Sequence, residues 1–168
     1  SDKAVKVVQE VRSFIKGNAT DEKVDINLRQ NIGTVLSVFN YELKNDVDLK
    51  FTINPNIHLF GYDVKLFQLW SNIVKNALEA MDSQEYKYFG IHAVEENRKL
   101  QVVFENNGPK IPDEVVQNMF NKFYTTKSKR NGTGLGLSIV KNILSEHLAS
   151  INVESNDTLT KFIITFDS

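Results

Sequence analysis

Asn72, Asn76 and Glu79 follow one another at spacings of four and three in "SNIVKNALEA". On a helix that spacing puts all three on one face. Side-chain oxygens of this kind suit a hard cation such as Mg²⁺, which keeps waters and substrate phosphates around it. The same spacing also fits asparagines that face solvent or cap neighbouring backbone. A second stretch, "NGTGLGLSIV" at residues 131–140, places Gly132, Gly134 and Gly136 at the front of a helical pattern. Each glycine in a helical turn costs about 1 kcal/mol relative to alanine, so bare backbone is wanted there. No Gly-Lys-Ser/Thr follows, which excludes a P-loop, and Leu137 and Ile139 occupy the positions where a dinucleotide fingerprint needs its last glycine. What remains is a glycine-rich entry into a helix N-terminus, where free N–H groups and the helix dipole favour an anion such as phosphate. Lys127, Lys129 and Arg130 stand just before it. The alternative is a loop with close helix packing.

In "FENNGPKIP" a strand ends at Phe104 and Asn107-Gly108 favours a tight turn; a simple turn and a ligand loop both fit. In "MFNKFYTTK", Phe120, Phe123 and Tyr124 precede the basic loop and read as anchors for a mobile lid. His58, His92 and His147 show no metal-ligand spacing and read as surface or satisfied histidines.

Around these residues lies an ordinary globular chain. Its 168 residues fit a single domain. Net charge is −1 with no basic face, which argues against nucleic acid as a partner. The absence of cysteine excludes disulfides and thiolate metal sites. No apolar run approaches the ~20 residues of a membrane span, and "SDKAVKVVQE" is not a signal peptide. No membrane contact is expected of this segment.

The periodicities give the elements that must position the chemistry. An apolar helical stripe runs through Ala4, Val7, Val8, Val11, Phe14 and Ile15 and ends at Gly17-Asn18. It either packs on its own domain or is the stump of a longer helical bundle. "DEKVDIN" reads as a linker and short strand, and residues 28–44 as one amphipathic helix through Ile32, Val35, Leu36, Phe39, Tyr41 and Leu43. "VDLKFTIN" alternates as a half-buried strand, and "IHLFG" forms a second short one. Asp63 is expected to cap a helix running to about Met81. Two strands, "YKYFGIHAVEE" and "LQVVFEN", are joined by the turn "ENRK", and Pro112-Asp113 opens a short helix. Residues 135–148 form a helix using Leu137, Val140, Ile143, Leu144 and Leu148, before closing strands "SINVES" and "LTKFIITF". Tight turns make neighbouring strands antiparallel. The order predicts a two-layer α/β sandwich, with helices covering one face of a mixed, mostly antiparallel sheet.

Taken in order, these motifs resemble the ATP-binding catalytic domain of bacterial sensor histidine kinases, in the superfamily shared with gyrase and the mismatch-repair ATPases. "NIVKNALEAM" is similar to the N box, "NNGPKIP" to the first glycine box, "MFNKFYTTK" to the F box and "GTGLGLSIVKNI" to the second glycine box. The resemblance covers about residues 24–166 and implies a Bergerat-type ATP-binding fold. It implies ATP and Mg²⁺ as cofactors, with Asn76 on the metal through its side-chain oxygen. Asn72 would lie by the metal and γ-phosphate, where hydrolytic relatives place a water-activating glutamate. Asparagine cannot act as a general base, which favours phosphoryl transfer to a protein over hydrolysis. The nucleotide would be held by Asn106, Gly108, Ile111, Lys127, Gly132, Thr133, Gly134, Leu135, Gly136 and Leu137.

This sequence departs from the family in three places. The family's first glycine box carries an aspartate that accepts from the adenine amino group; here the position is Asn106, whose oxygen can accept the same bond without charge. Glu105 lies one residue out of register, on a strand that points it to the other face. Lys110 replaces the box's later glycine, and "HLAS" replaces the usual His-Gly-Gly, altering a turn. No histidine looks like a phosphoacceptor. Residues 1–18 resemble the end of a dimerisation-hairpin helix and residues 19–168 the catalytic domain. The expected partners are therefore the dimerisation and phosphoacceptor domain of a parent kinase and a downstream response regulator. The expected location is cytoplasmic, with a parent that is either soluble or membrane-anchored. On its own the chain is expected to bind ATP and not to phosphorylate itself on histidine. The competing readings are a degenerate docking module, motivated by Asn106 and Lys110, and a gyrase-type ATPase, disfavoured by Asn72.

Overall fold

The computed structural model describes residues 22–121 and 136–167. The apolar stripe of residues 4–15 therefore lies outside the described residues.

β1 (Val24–Asn27) pairs antiparallel with β3 (His58–Gly61) in a small two-stranded sheet. The main sheet has five strands: β2 (Val47–Thr52), β4 (Lys87–Glu96), β5 (Lys99–Asn106), β6 (Ala149–Ser155) and β7 (Thr160–Asp167), in the order β2-β4-β5-β7-β6. β2 runs parallel to β4 and every other pairing is antiparallel, which is the mixed sheet expected. Asn97 and Arg98, at φ 53° and 63°, form the two-residue turn between β4 and β5. Two positive φ angles in succession match the right-handed twist of the flanking strands.

The helices are α1 (Leu28–Val38), α2 (Asn40–Asp46), α3 (Asp63–Ala80), α4 (Asp113–Asn118) and α5 (Gly136–Glu146). Between them and the sheet lies one core, in which Leu66, Leu69, Trp70 and Ile73 of α3 meet Phe89, Ile91, Val102, Phe104, Phe162, Ile164 and Phe166 of the strands. Alternation on β5 sends Leu100, Val102, Phe104 and Asn106 to the helical side, and leaves Glu105 on the other.

Three local expectations need correction. Residues 28–44 are not one helix. Phe39 (φ −94°, ψ 15°) interrupts it, its N–H shared between the Val35 and Ser37 carbonyls, so α1 and α2 meet at an angle that still buries Phe39 and Leu43. Tyr41 falls off that stripe and is 79% exposed. Asp63 does not cap α3 from outside: Tyr62 holds the cap position, and Asp63 Oδ1 accepts the next N–H, that of Val64, at 2.8 Å. Leu148 lies beyond α5 at φ 52°, 81% exposed, where the chain turns out of the helix.

His147, just after α5, ties that helix to the β3–α3 junction. Its Nδ1–H donates to the Ile143 carbonyl at 2.7 Å and its Nε2 accepts the Tyr62 N–H at 3.0 Å. Gly61 makes room for the ring, since a Cβ there would stand 2.7 Å from it. A proton on Nε2 would face that N–H, so the neutral ring is the one the fold holds. Burial pushes its pKa below the usual 6.5, and Lys23 and Lys65 add to the shift against the Ile143 carbonyl and Glu146. The unfolded chain therefore binds this proton first as pH falls. Stability is full above about pH 6.5 and declines below it by up to about 1.4 kcal/mol per pH unit, until the folded group also titrates. Urea unfolding at pH 7.5 and 5.5 is expected to show this loss, and His147→Gln to remove the part due to this ring; an identical slope in the variant would refute it.

Candidate functional site

α3 buries Leu66, Leu69, Trp70, Ile73 and Ala77, as its 3.6-residue period requires. Asn72, Asn76 and Glu79 therefore ride along the edge of the core, each half-buried. Glu79 pairs with Lys75 at 3.7 Å. Asn72 Nδ2 is buried and, among the described residues, has no hydrogen-bond partner. Such a donor costs about 1–3 kcal/mol, which a ligand acceptor would recover.

The end of β5 abuts the last turn of this ridge. A Cβ on Gly108 would lie 2.8 Å from the Ala80 carbonyl oxygen, so only bare backbone fits against α3 there. Ala80 is one helical turn beyond Asn76. Asn107 fixes this segment by extending the β4 ladder with its side chain. Its Oδ1 accepts from Tyr88 N at 2.9 Å and its Nδ2 donates to Tyr86 O at 2.8 Å. Its own N–H reaches Tyr88 O at 3.2 Å, and Gln84 Nε2 donates to its carbonyl at 2.7 Å. The segment is thus no hairpin turn but a pinned loop leading through Ile111 into α4. Asn106, only 2% exposed, accepts the Gly108 N–H on Oδ1 at 2.9 Å.

Glu105 faces the opposite side of the sheet, where Tyr88 Oη donates to it at 2.8 Å. Desolvation, and then this bond, push the Tyr88 hydroxyl up to about 12. The buried polar side chain at the helical-side end of β5 is therefore Asn106.

Sequence reasoning missed two residues. Thr160 lies opposite Asn106 in the β5–β7 register, is 2% exposed, and shares a 2.7 Å hydrogen bond with Ser155 Oγ. Ser155 Oγ also accepts the Ile111 N–H at 2.9 Å. The available signal was a threonine at a core-facing position of the alternating run "TKFIITF".

Gly136 opens α5, which packs along α3, and Leu137 is half-buried against the core. Phe120, C-terminal to α4, packs on that core too. The other lid expectations, Lys127, Gly132, Thr133, Gly134 and Leu135, together with Phe123 and Tyr124, lie outside the described residues. Among the described residues no three His, Cys, Asp or Glu side chains cluster as a metal site. His58 pairs with Asp25 at 3.2 Å on the exposed side of the small sheet, and His147 is the satisfied histidine already described.

Residues 61–168, including α3, the β5 loop and α5, match the family model described as histidine kinase-, DNA gyrase B- and HSP90-like ATPase. The chain belongs to this ATPase family. Its kinship lies on the kinase side. The sensor histidine kinase CusS of Escherichia coli K12 is 31% identical over 150 residues, 86% of this chain and 30% of that protein. The catalytic domain of histidine kinase ThkA superposes at a TM-score of 0.78 with 30% identity, covering 87% of this chain and 95% of that one. ThkA in complex with the response regulator TrrA aligns at a TM-score of 0.73 and 24% identity, over 96% of this chain and 46% of that one. The domain is thus a catalytic ATPase-family domain of the sensor-kinase type, with the α/β fold of its neighbours. The chain spans about a third or less of the curated relatives it matches. Among the described residues no helix is long and apolar enough to cross a membrane.

Proposed function

We propose that this domain binds Mg-ATP along α3 and transfers the γ-phosphate to a histidine on the dimerisation domain of a parent sensor kinase. The phosphate then passes to a response regulator, the partner class with which ThkA is known. Residues 1–18 are the end of the dimerisation hairpin and residues 19–168 the catalytic domain. Use of ATP supports a cytoplasmic location for the domain.

The site's chemistry fits the group. Gly108 leaves a cradle that a Cβ would close, Asn106 offers a buried amide, and Asn72 offers a donor lacking a protein acceptor among the described residues. Asn76 would hold Mg²⁺ through Oδ1, and Gly132, Thr133, Gly134, Leu135 and Gly136 would give backbone N–H groups to the phosphates, with Lys127 adding charge. When bound, Mg-ATP supplies an activated phosphoryl group whose charge the metal offsets. The chain's own part is to orient it and exclude water.

The observation that carries the reading is Asn72. It is the half-buried polar residue one turn from Asn76, and a carboxamide there cannot take a proton from water, so it favours transfer over hydrolysis. Titration of Mg-ATP, and then ADP, into the chain by calorimetry tests the site. Asn76→Ala is expected to weaken Mg-ATP by about tenfold or more, about 1.4 kcal/mol, with the loss vanishing when Mg²⁺ is chelated. Absence of heat with millimolar nucleotide would reduce the boxes to scaffold, and steady ATP turnover would favour a hydrolase.

A further inference from the structure

The face of the main sheet turned away from the helices carries a hollow of about 260 Å³. It is lined by Lys50 and Thr52 of β2, Tyr88, Gly90 and His92 of β4, and Glu105 of β5. A Cβ on Gly90 would stand 2.6 Å from Tyr88 Oη and 2.8 Å from Glu105 Oε1, so bare backbone there lets the Tyr88–Glu105 pair lie across β4. The register sets the rest. Lys50 and Glu105 flank Gly90 from the two neighbouring strands, and Thr52 flanks His92. Two strand spacings, about 9.5 Å, separate the backbones of Lys50 and Glu105, with no side chain on the position between them. The polar groups are sorted by sense. Toward β2 stand groups that donate: the Lys50 ammonium, the Thr52 hydroxyl and an N–H of the His92 ring. Toward β5 stand acceptors: the Glu105 carboxylate, and the lone pairs of Tyr88 Oη, whose proton goes to Glu105 at 2.8 Å. Among the described residues the side chains of Lys50, Thr52 and His92 make no hydrogen bond or ion pair, and Glu105 has the bond from Tyr88 alone. The neighbouring charges are placed elsewhere. Asp48 accepts from Tyr86 Oη at 2.5 Å, and Lys161, opposite Glu105 on β7, forms no ion pair with it.

We propose that this hollow is a binding site for a small zwitterion of the free α-amino acid class. The ligand's ammonium meets Glu105 and Tyr88 Oη, and its carboxylate meets Lys50, with Thr52 and His92 beside it. An ammonium offers donors only and a carboxylate acceptors only, so such a molecule matches the two rims in one orientation. Both ends then make charge-assisted hydrogen bonds, the stronger kind. A simple anion satisfies Lys50 and stands against Glu105; a simple amine does the reverse. Lys50 and Thr52 are exposed and Tyr88, His92 and Glu105 half-buried, so solvent screens each pair and the expected dissociation constant is millimolar. The hollow lies across the sheet from α3, so its test is separate from that of the nucleotide site.

The experiment is titration of the full, isotope-labelled chain with L-alanine, acetate and ethylamine at constant pH and ionic strength, followed through the amide shifts in NMR spectra. L-Alanine is expected to give saturable shifts at Gly90, Ile91 and His92 with millimolar half-saturation, and acetate and ethylamine to bind at least about fivefold more weakly. Lys50→Ala changes an exposed side chain and is expected to weaken L-alanine about threefold to fivefold, the scale of one exposed charge pair. Glu105→Gln keeps an oxygen for the Tyr88 hydroxyl and is expected to weaken it by at least as much. The absence of saturable shifts on β4 at tens of millimolar L-alanine overturns the inference. So does acetate or ethylamine binding as tightly as L-alanine, or an affinity that neither substitution moves. Shifts confined to Asn72 and Asn76 would place the ligand in the cleft along α3 and overturn it too. If Glu105→Gln disturbs the fold, Lys50→Ala alone decides.

Discussion

Trp70→Ala is expected to cost about 3–5 kcal/mol, the range for removing a fully buried large aromatic. Trp70 is wholly inaccessible and joins α3 to two strands. It stacks on Phe104 at 5.6 Å and 25°, and meets Phe166 edge-on at 6.1 Å and 65°. Phe104 in turn stacks on Phe89 of β4 at 6.4 Å. The indole N–H donates to Asn31 Oδ1 of α1 at 2.8 Å, so truncation also strands an acceptor on a second helix. Domains of this kind hold only about 5–15 kcal/mol in total, so much of the stability rests on this one side chain. Trp70→Phe keeps the stack and loses the hydrogen bond, and its expected cost is about 1–2 kcal/mol. Urea unfolding followed by circular dichroism measures both, since the chain's single tryptophan is the residue removed. A cost below about 1 kcal/mol for Trp70→Ala would mean that the interface collapses around the gap.

Local periodicity made most of the fold legible. The strands alternate strictly enough to put Glu105 and Asn106 on opposite faces, and the ladder places them so. α3 was legible because eighteen helical residues keep one apolar face. The failures have physical causes. At Phe39 the stripe continues while the backbone changes direction, because burial of Phe39 and Leu43 is satisfied on either side of the break. Leu148 looked like core by spacing, yet the helix had already ended at Glu146, and its left-handed φ turns the side chain to solvent. Thr160, Ser155 and His147 were illegible for a different reason. Their partners, Asn106 across a ladder, Ile111 across the loop and Tyr62 across two helices, are contacts that only the tertiary register creates. The site was read through its motifs, and the donor or acceptor sense of each motif residue came only from its neighbours.

Asn72 separates a functional from a structural reading of the α3 ridge by the sign of its effect. A buried Nδ2 with no partner among the described residues lowers stability by about 1–3 kcal/mol. Asn72→Leu removes that donor and supplies a side chain of similar length with good helix propensity. The variant is therefore expected to be more stable than wild type, by about 1 kcal/mol in denaturant unfolding. If Asn72 sits by the γ-phosphate, the same change is expected to slow phosphoryl transfer, to a histidine-bearing hairpin supplied in trans, by about 10²-fold, the usual loss on deleting one electrostatic contact to a transferring group. Stability up and transfer down is the pattern of a residue kept for chemistry at the expense of folding. A structural asparagine gives the opposite result: Asn72→Leu would destabilise, and any loss of transfer would follow the fraction unfolded. Measuring both quantities on one preparation distinguishes them, because a drop in transfer at raised stability has no explanation through folding.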